Sequence, residues 1–343
     1  MTKIALIGFG VVGQAFTEII RDKHDELKTK YGLDATIVAI SGRSKGSVYD
    51  PDGLDLTQLL RGFGETGTVE SYPKGVKGLS SLETITETRA DIIVEATITN
   101  IETGEPALSH VKAALSNGKH LVTSNKGPAA LAYKQLKQLA DENGVQFRIE
   151  STVLSGTPAI NFATENLAGH RIYGVKGIIN GTTNYILTKM EQGEDYQEAL
   201  LEAQKLGYAE ADPTADVEGW DAVAKIMILA NAVLGGDMKV SDVEREGITG
   251  ITPEGIRAAK SQGERIKLIA EAFVEDGAVK AKVAPQRVHL TDPLATVTGT
   301  LNALTVMTDG LLEVTVIGGG AGGVGTAHGL LSDIIAIHRM GGD

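Results

Sequence analysis

The sequence predicts an α/β first half, with a parallel sheet covered by helices on both faces, followed by an α+β second half. Three observations predict it. Short apolar runs alternate with helix-patterned segments up to about residue 150. A glycine-spaced turn, Gly8-Phe-Gly-Val-Val-Gly13, joins the first run to the first helix. Beyond residue 150 the pattern changes to longer helices and a hairpin, with no linker to mark the change.

The elements follow in order. Ile4-Ala-Leu-Ile7 is a buried strand, Val11 to about Lys23 a helix, and Thr36–Ile40 a second strand. Residues 42–90 are rich in Gly, Ser and Thr and read as loops with short helices. Asp91–Ala96 is a strand, and Ala107–Ser116 a helix stopped by Asn117-Gly118. His120–Thr123 is a strand, Pro128–Glu142 a helix with proline in its first turn, and Val145–Ile149 a strand. In the second half, Ile172–Ile179 is a strand, while Tyr196–Leu206 and Val217–Leu234 are helices. Pro253–Glu275 reads as one or two helices and Val279–Ala284 as a strand. Asn302–Met307 and Leu311–Ile317 flank Asp309-Gly310, a hairpin signal. The final amphipathic helix, Thr326–Arg339, follows the Gly318–Gly325 cluster and is expected to pack back on the first domain.

Composition narrows the function classes. The chain has 343 residues, 42% of them hydrophobic, enough for a sizeable core and two domains. Lys plus Arg number 32 against 44 Asp plus Glu, a net charge of −12. No basic field is available for nucleic acid, although a local basic spot for a phosphate is compatible with that balance. The absence of cysteine excludes disulfides, thiolate zinc sites and cysteine nucleophiles. The seven histidines are scattered without ligand spacing, which disfavours zinc-dependent alcohol oxidation. The N-terminus does not read as a signal peptide, and no run of apolar residues is long enough for a membrane span. The expected address is the cytoplasm.

The glycine turn carries the first chemistry. Gly8 serves the tight turn, Gly10 admits a close backbone approach, and Gly13 lets helix and strand pack. Together with Phe9, Val11 and Val12 these residues turn a helix N-terminus toward a pyrophosphate, as in a Rossmann-type nucleotide-binding domain. A merely structural glycine turn is the competing reading. At the end of the second strand an NAD site usually places an acid for the ribose hydroxyls. Here Ser41-Gly-Arg-Ser-Lys45 has none, and Arg43 and Lys45 suit a 2′-phosphate. NADP is therefore favoured, with NAD use left open, as is a plain solvated basic loop.

The second chemistry lies in Ala222–Leu234, where only Lys225 and Asn231 are polar. So apolar a helix is buried, and lysine is rarely buried alone. Asp221 lies one turn earlier on the same face. A lysine beside a carboxylate, away from water, suits proton transfer to a carbonyl oxygen as hydride arrives. A structural i,i+4 ion pair is the alternative. Upstream, Gly207-Tyr-Ala-Glu-Ala-Asp-Pro-Thr-Ala-Asp216 carries Glu210, Asp212 and Asp216 in a loop leading to that helix. Carboxylates there suit an amino-acid ammonium; for Asp216 a helix N-cap is the equal alternative.

The stretch Gly207–Lys225 closely resembles the signature of homoserine dehydrogenases. Further family-like elements run along the chain: Gly8–Gly13, Thr123-Ser-Asn-Lys126, Glu150–Pro158, Asn180-Gly-Thr-Thr-Asn-Tyr185, and Gly320-Ala-Gly322 with Thr326. The resemblance implies an enzyme interconverting L-aspartate 4-semialdehyde and L-homoserine in threonine, methionine and isoleucine biosynthesis. It implies Lys225 as the catalytic proton donor and Lys126 as a lysine at both cofactor and substrate. Glu210, Asp216 and Asp221 would bind or orient the substrate, with Gly207, Thr97 and Gly322 near the dinucleotide. It also implies a monovalent cation, such as sodium, on the backbone carbonyls of Glu150, Val153, Ser155 and Thr157. The implied organisation is an NADP-binding domain over 1–150 joined by the C-terminal helix of about 318–343. The α+β catalytic and dimerisation domain would span 151–317, and the protein would be a homodimer. The Thr97–Gly104 stretch departs from the family's usual form, and no aspartokinase or regulatory module is expected after the last helix. Feedback inhibition by threonine through such a module is not expected. A Rossmann dehydrogenase for another semialdehyde, or a non-catalytic NADP sensor, would share the fold; the buried lysine argues against the sensor.

Overall fold

The computed structural model describes residues 1–341, which divide into two compact units. The first comprises residues 1–156 with the C-terminal stretch from Gly322; the second is Thr157–Ala321.

The first unit is built on a seven-stranded sheet: β1 (Thr2–Ile7), β2 (Ala35–Gly42), β3 (Gly46–Tyr49), β4 (Val76–Lys77), β5 (Ile92–Glu95), β6 (His120–Thr123) and β7 (Phe147–Arg148). The spatial order is β4-β3-β2-β1-β5-β6-β7. From β2 to β7 the neighbours are parallel. The central strands bury the apolar runs Ile4–Ile7 and Ile92–Val94, as a sheet covered on both faces requires. The segment 42–90 holds more order than its composition suggests: β3 and β4 extend the sheet antiparallel, and Leu56–Thr66 is a full helix capped by Asp55. Conversely, the strand expected at Val145–Ile149 shrinks to Phe147–Arg148.

The C-terminal helix, Gly323–Met340, packs on the helix Val11–Asp22. Its Ala327, Leu330, Ile334 and Ile337 join Leu6, Phe16 and Ile20 in one core. Buried Asp333 on that helix accepts the backbone N–H of Glu150 at 2.9 Å, and Ser151 donates to the Thr326 carbonyl at 2.9 Å. These bonds hold residues 150–156 in the first unit, so its boundary falls at 156 rather than 150. At the other end, β13 runs to Gly319, and the second unit ends at 321 rather than 317. The helix was expected within about 318–343; residues 342 and 343 lie outside the described residues.

The second unit carries a six-stranded sheet: β8 (Ile172–Ile178), β9 (Val243–Arg245), β10 (Glu264–Glu275), β11 (Ala278–His289), β12 (Leu301–Thr308) and β13 (Leu312–Gly319), in the order β13-β12-β8-β10-β11-β9. The helices Gly181–Glu191, Trp220–Val233 and Pro253–Ser261 pack on it. Here the expected helical stretch Pro253–Glu275 is corrected. Its first part is a helix, but Glu264–Glu275 is strand β10. The cause is the hairpin to β11: Asp276 (φ 50°) and Gly277 (φ 79°) both adopt positive φ, as a two-residue type I′ turn demands. The expected helix Val217–Leu234 likewise begins later, because Gly219, at φ 82°, separates it from the short turn Thr214–Val217. Among the described residues no helix is long and apolar enough to cross a membrane.

Candidate active site

In the first unit, β1 delivers the chain to a turn that only glycine fits. Gly8 sits at φ 102°, and a Cβ there would lie 2.4 Å from the Ala96 carbonyl oxygen. A Cβ at Gly13 would lie 2.2 Å from the Gly8 carbonyl oxygen, so helix and turn meet in backbone contact. Gly10 faces open space and is the N-cap of the helix Val11–Asp22, with no side chain capping it and no acid in its first turn. Such an uncapped N-terminus is an anion site. Phe9 lies behind it, edge-on to Phe63 with centroids 4.9 Å apart.

A cavity of about 670 Å³ opens beside this turn. Gly8, Phe9 and Gly10 line it, as do Ser41 to Ser47 (hence Arg43 and Lys45), Thr97 and His110. The glycine cradle, the open helix end and the basic loop fit a dinucleotide. Gly322, at φ 107°, caps the C-terminal helix, and its neighbour Gly323 would bring a Cβ within 2.5 Å of Val11. Gly322 thus stands next to the glycine turn. Val11 is exposed and Val12 partly buried.

The far end of β5 is organised by residues for which the sequence reading assigned no role. Glu95 is fully buried; it accepts the Thr97 N–H and the Thr97 hydroxyl through Oε1, and Thr123 Oγ1 through Oε2 at 3.1 Å. Asn125 donates from Nδ2 to the carbonyls of Thr97 (3.2 Å) and Ile98 (3.1 Å), and its Oδ1 caps the next helix at Gly127 N. Lys126, half-buried, is the first residue of that helix, Lys126–Glu142. Thr97 and Lys126 are therefore tied together through Asn125.

In the second unit the apolar helix positions its charged pair as the periodicity required. Lys225 is 8% exposed, and its Nζ lies 2.8 Å from Asp221 Oδ2 and donates to the Ile179 carbonyl at 2.8 Å. Asn180, the N-cap of the helix Gly181–Glu191, bridges two carboxylates: its Nδ2 donates to Asp216 Oδ1 at 2.6 Å and to Asp221 Oδ2 at 2.9 Å. Asn180 is a site residue that sequence reasoning quoted within a motif but gave no role; nothing local links it to residues 36 and 41 positions away. The Asp216 carboxyl is pushed above its usual range, first by burial and further by Asp221, against the opposing hydrogen bond from Asn180. Asp216 does not cap the helix: it lies within the turn Thr214–Val217, and the N-cap position belongs to Gly219.

Glu210 is exposed on the preceding loop, and its carboxylate makes no hydrogen bond or ion pair among the described residues. Gly207 is exposed at φ 76° and closes the helix Tyr196–Lys205, its N–H bonding the Gln204 carbonyl at 3.0 Å. Of the four carbonyl residues, Glu150, Val153 and Ser155 belong to the first unit and Thr157 opens the second. Ser155 adopts φ 58°, while Thr157 Oγ1 donates to the Gly319 carbonyl at 2.8 Å. Among the described residues no cluster of three or more His, Cys, Asp and Glu could hold a metal ion.

An open helix N-terminus at a glycine turn that fits a diphosphate, in a chain that also holds a buried lysine beside partly buried carboxylates, defines the class of dinucleotide-dependent oxidoreductases. Comparison with known proteins narrows that class. A family model described as homoserine dehydrogenase, NAD binding domain, matches residues 8–150, and the homoserine dehydrogenase model matches residues 158–335. A homoserine dehydrogenase from Methanocaldococcus jannaschii is 46% identical over 337 residues, covering 98% of both chains. An NAD(+)-dependent homoserine dehydrogenase from Pseudomonas canavaninivorans is 44% identical over 338 residues, covering 98% of this chain and 96% of its own. The structure of a hyperthermophilic archaeal homoserine dehydrogenase mutant in complex with NADPH superposes with a TM-score of 0.84 at 32% identity, over 99% of this chain and 98% of that one. The chain belongs to the homoserine dehydrogenase family, and it is an NAD(P)-dependent oxidoreductase acting on the CH–OH group.

Proposed function

We propose that the protein interconverts L-homoserine and L-aspartate 4-semialdehyde, serving threonine and methionine biosynthesis, with NADP preferred and NAD usable. One observation carries the chemistry. An ammonium has three N–H donors, and among the described residues Lys225 commits them to two acceptors, Asp221 and the Ile179 carbonyl. The third remains for a substrate oxygen. When bound, the nicotinamide gives or takes the hydride. Lys225 gives its proton to the aldehyde oxygen as that oxygen becomes an alcohol, and in the reverse direction receives the hydroxyl proton. Asp221 orients the ammonium, and Asn180 keeps Asp221 and Asp216 side by side despite their like charge.

Glu210, with its uncommitted carboxylate, holds the substrate ammonium, and Asp216 assists in substrate binding. Lys126 acts on cofactor and substrate, a role supported by its place beside Thr97 and by the family resemblance. Arg43 and Lys45 hold the 2′-phosphate, supported by their position on the wall of the nucleotide cavity. Glycines 8, 10 and 13 with Phe9, Val11, Val12, Thr97, Gly207 and Gly322 serve the dinucleotide. A monovalent cation on the carbonyls of Glu150, Val153, Ser155 and Thr157 and a homodimer, both resting on the resemblance, and a cytoplasmic address, resting on the N-terminal sequence and the lack of a long apolar run, complete the proposal. The test is oxidation of L-homoserine by the purified protein, with NAD and NADP side by side. Reduction of both, faster with NADP, is expected. Failure to reduce either overturns the substrate, and a strong NAD preference overturns the cofactor assignment.

A further inference from the structure

The nucleotide cavity contains an acid that the loop after β2 lacks. We infer that Glu70 sets how far the protein discriminates a 2′-phosphate from a free 2′-hydroxyl on the adenosine ribose: its carboxylate weighs against NADP and lets NAD compete. Glu70 lies on the short turn Val69–Ser71 and lines the same cavity as Arg43 and Lys45.

Three bonds stitch its turn to the basic loop. Val69 N–H and Thr68 Oγ1 donate to the Lys45 carbonyl at 2.9 and 3.0 Å, and Ser47 N–H donates to Glu70 Oε1 at 3.3 Å. Gly46, at φ 75°, makes the approach possible, since a Cβ there would lie 2.6 Å from Glu70 Cγ. Oε2 of Glu70 has no partner among the described residues. The other acid on the cavity wall, Glu83, is occupied: it accepts the Ser80 N–H at 2.7 Å in a capping box.

An ionised carboxylate only accepts hydrogen bonds. It suits ribose hydroxyls and repels a phosphate, which is why NAD sites place an acid at the end of the second strand. Here that acid arrives from a later turn of the chain, so Arg43 and Lys45 attract the phosphate while Glu70 opposes it. Discrimination is the difference between the two. The inference rests on the proposed function only in placing the phosphate near Arg43 and Lys45.

The experiment measures calorimetric affinities for 2′,5′-ADP and 5′-AMP, which differ at the 2′ position and need no catalysis. The proteins are wild type, Glu70→Gln, Glu70→Ala and the double variant Arg43→Ala/Lys45→Ala. Glu70→Gln keeps an oxygen for the Ser47 N–H and loses the charge. It should tighten 2′,5′-ADP relative to 5′-AMP by about tenfold, the scale of a like-charge repulsion largely screened by water at an exposed carboxylate such as Glu70. Glu70→Ala, which also loses the Ser47 acceptor, should shift the ratio equally. An unchanged ratio in Glu70→Gln, or a shift confined to Glu70→Ala, overturns the inference, the latter because loop geometry rather than charge would be responsible. If the double variant leaves 2′,5′-ADP binding intact, the basic-loop assignment fails instead, and the Glu70→Gln ratio still decides the role of Glu70.

Discussion

Lys225→Ala separates a proton-transfer lysine from a purely structural ion pair. The substitution removes the ammonium between Asp221 Oδ2 and the Ile179 carbonyl, each 2.8 Å away. It leaves the Asn180 amide still bridging Asp221 and Asp216, without the ammonium beside them. Breaking a buried pair typically destabilises by about 3–5 kcal/mol, and both readings predict that loss. Only proton transfer predicts a fall in kcat of about 10² to 10⁴ on protein that remains folded. In the proposed chemistry the free N–H of Lys225 serves the substrate oxygen and not the cofactor, so NADP affinity should stay near wild type. The assay is steady-state kinetics in both directions at a temperature where circular dichroism reports native protein, with an NADP fluorescence titration alongside. Partial rescue by added methylamine would identify the missing group as an amine. Near-normal turnover removes Lys225 from the reaction, and loss of NADP binding makes it a structural residue.

Four further outcomes are expected. Asn180→Ala loses two charge-assisted bonds and the cap on Thr183 N; kcat should fall about 10- to 100-fold, and urea unfolding should show a loss of a few kcal/mol, with wild-type kinetics refuting the bridging role. Glu210→Gln should raise KM for homoserine more than it lowers kcat; the reverse pattern would place it in the chemical step. Gly13→Ala puts a methyl 2.2 Å from the Gly8 carbonyl oxygen and should cost about 1–3 kcal/mol and most nucleotide affinity, read by melting with and without NADP. Burial lowers the His120 pKa, and its Nδ1 accepts the Gln146 N–H at 3.0 Å, so the fold holds the ring neutral. The unfolded chain takes up that proton first, below about pH 6.5, so stability from this group is complete above that pH and declines below it. Urea midpoints at pH 7.5 and 5.5 should show a smaller drop in His120→Gln than in wild type.

What the sequence by itself determined was local. The turn at Gly8–Gly13 is legible because glycine spacing and a flanking strand and helix sit within one short window. The Asp221–Lys225 pair is legible because the helical period alone places i and i+4 together, and its apolar neighbours announce burial. Tertiary structure decided whatever depends on partners distant in sequence. Glu264–Glu275 became a strand because β8 and β11 supply its hydrogen bonds, although the Asp276-Gly277 turn was a readable clue. Asn180 became a bridge between carboxylates only when β8 delivered it beside the helix Trp220–Val233. Glu95 and Asn125 came to organise Thr97 through strand pairing between β5 and β6. Glu70 reached the nucleotide cavity because its neighbours Val69, through its N–H, and Thr68, through its hydroxyl, bond the carbonyl of Lys45, 25 residues back along the chain from Glu70. Periodicity specifies which face a residue occupies. Which residue will face it across the core is set by packing and by the pairing of backbone groups far apart in the chain.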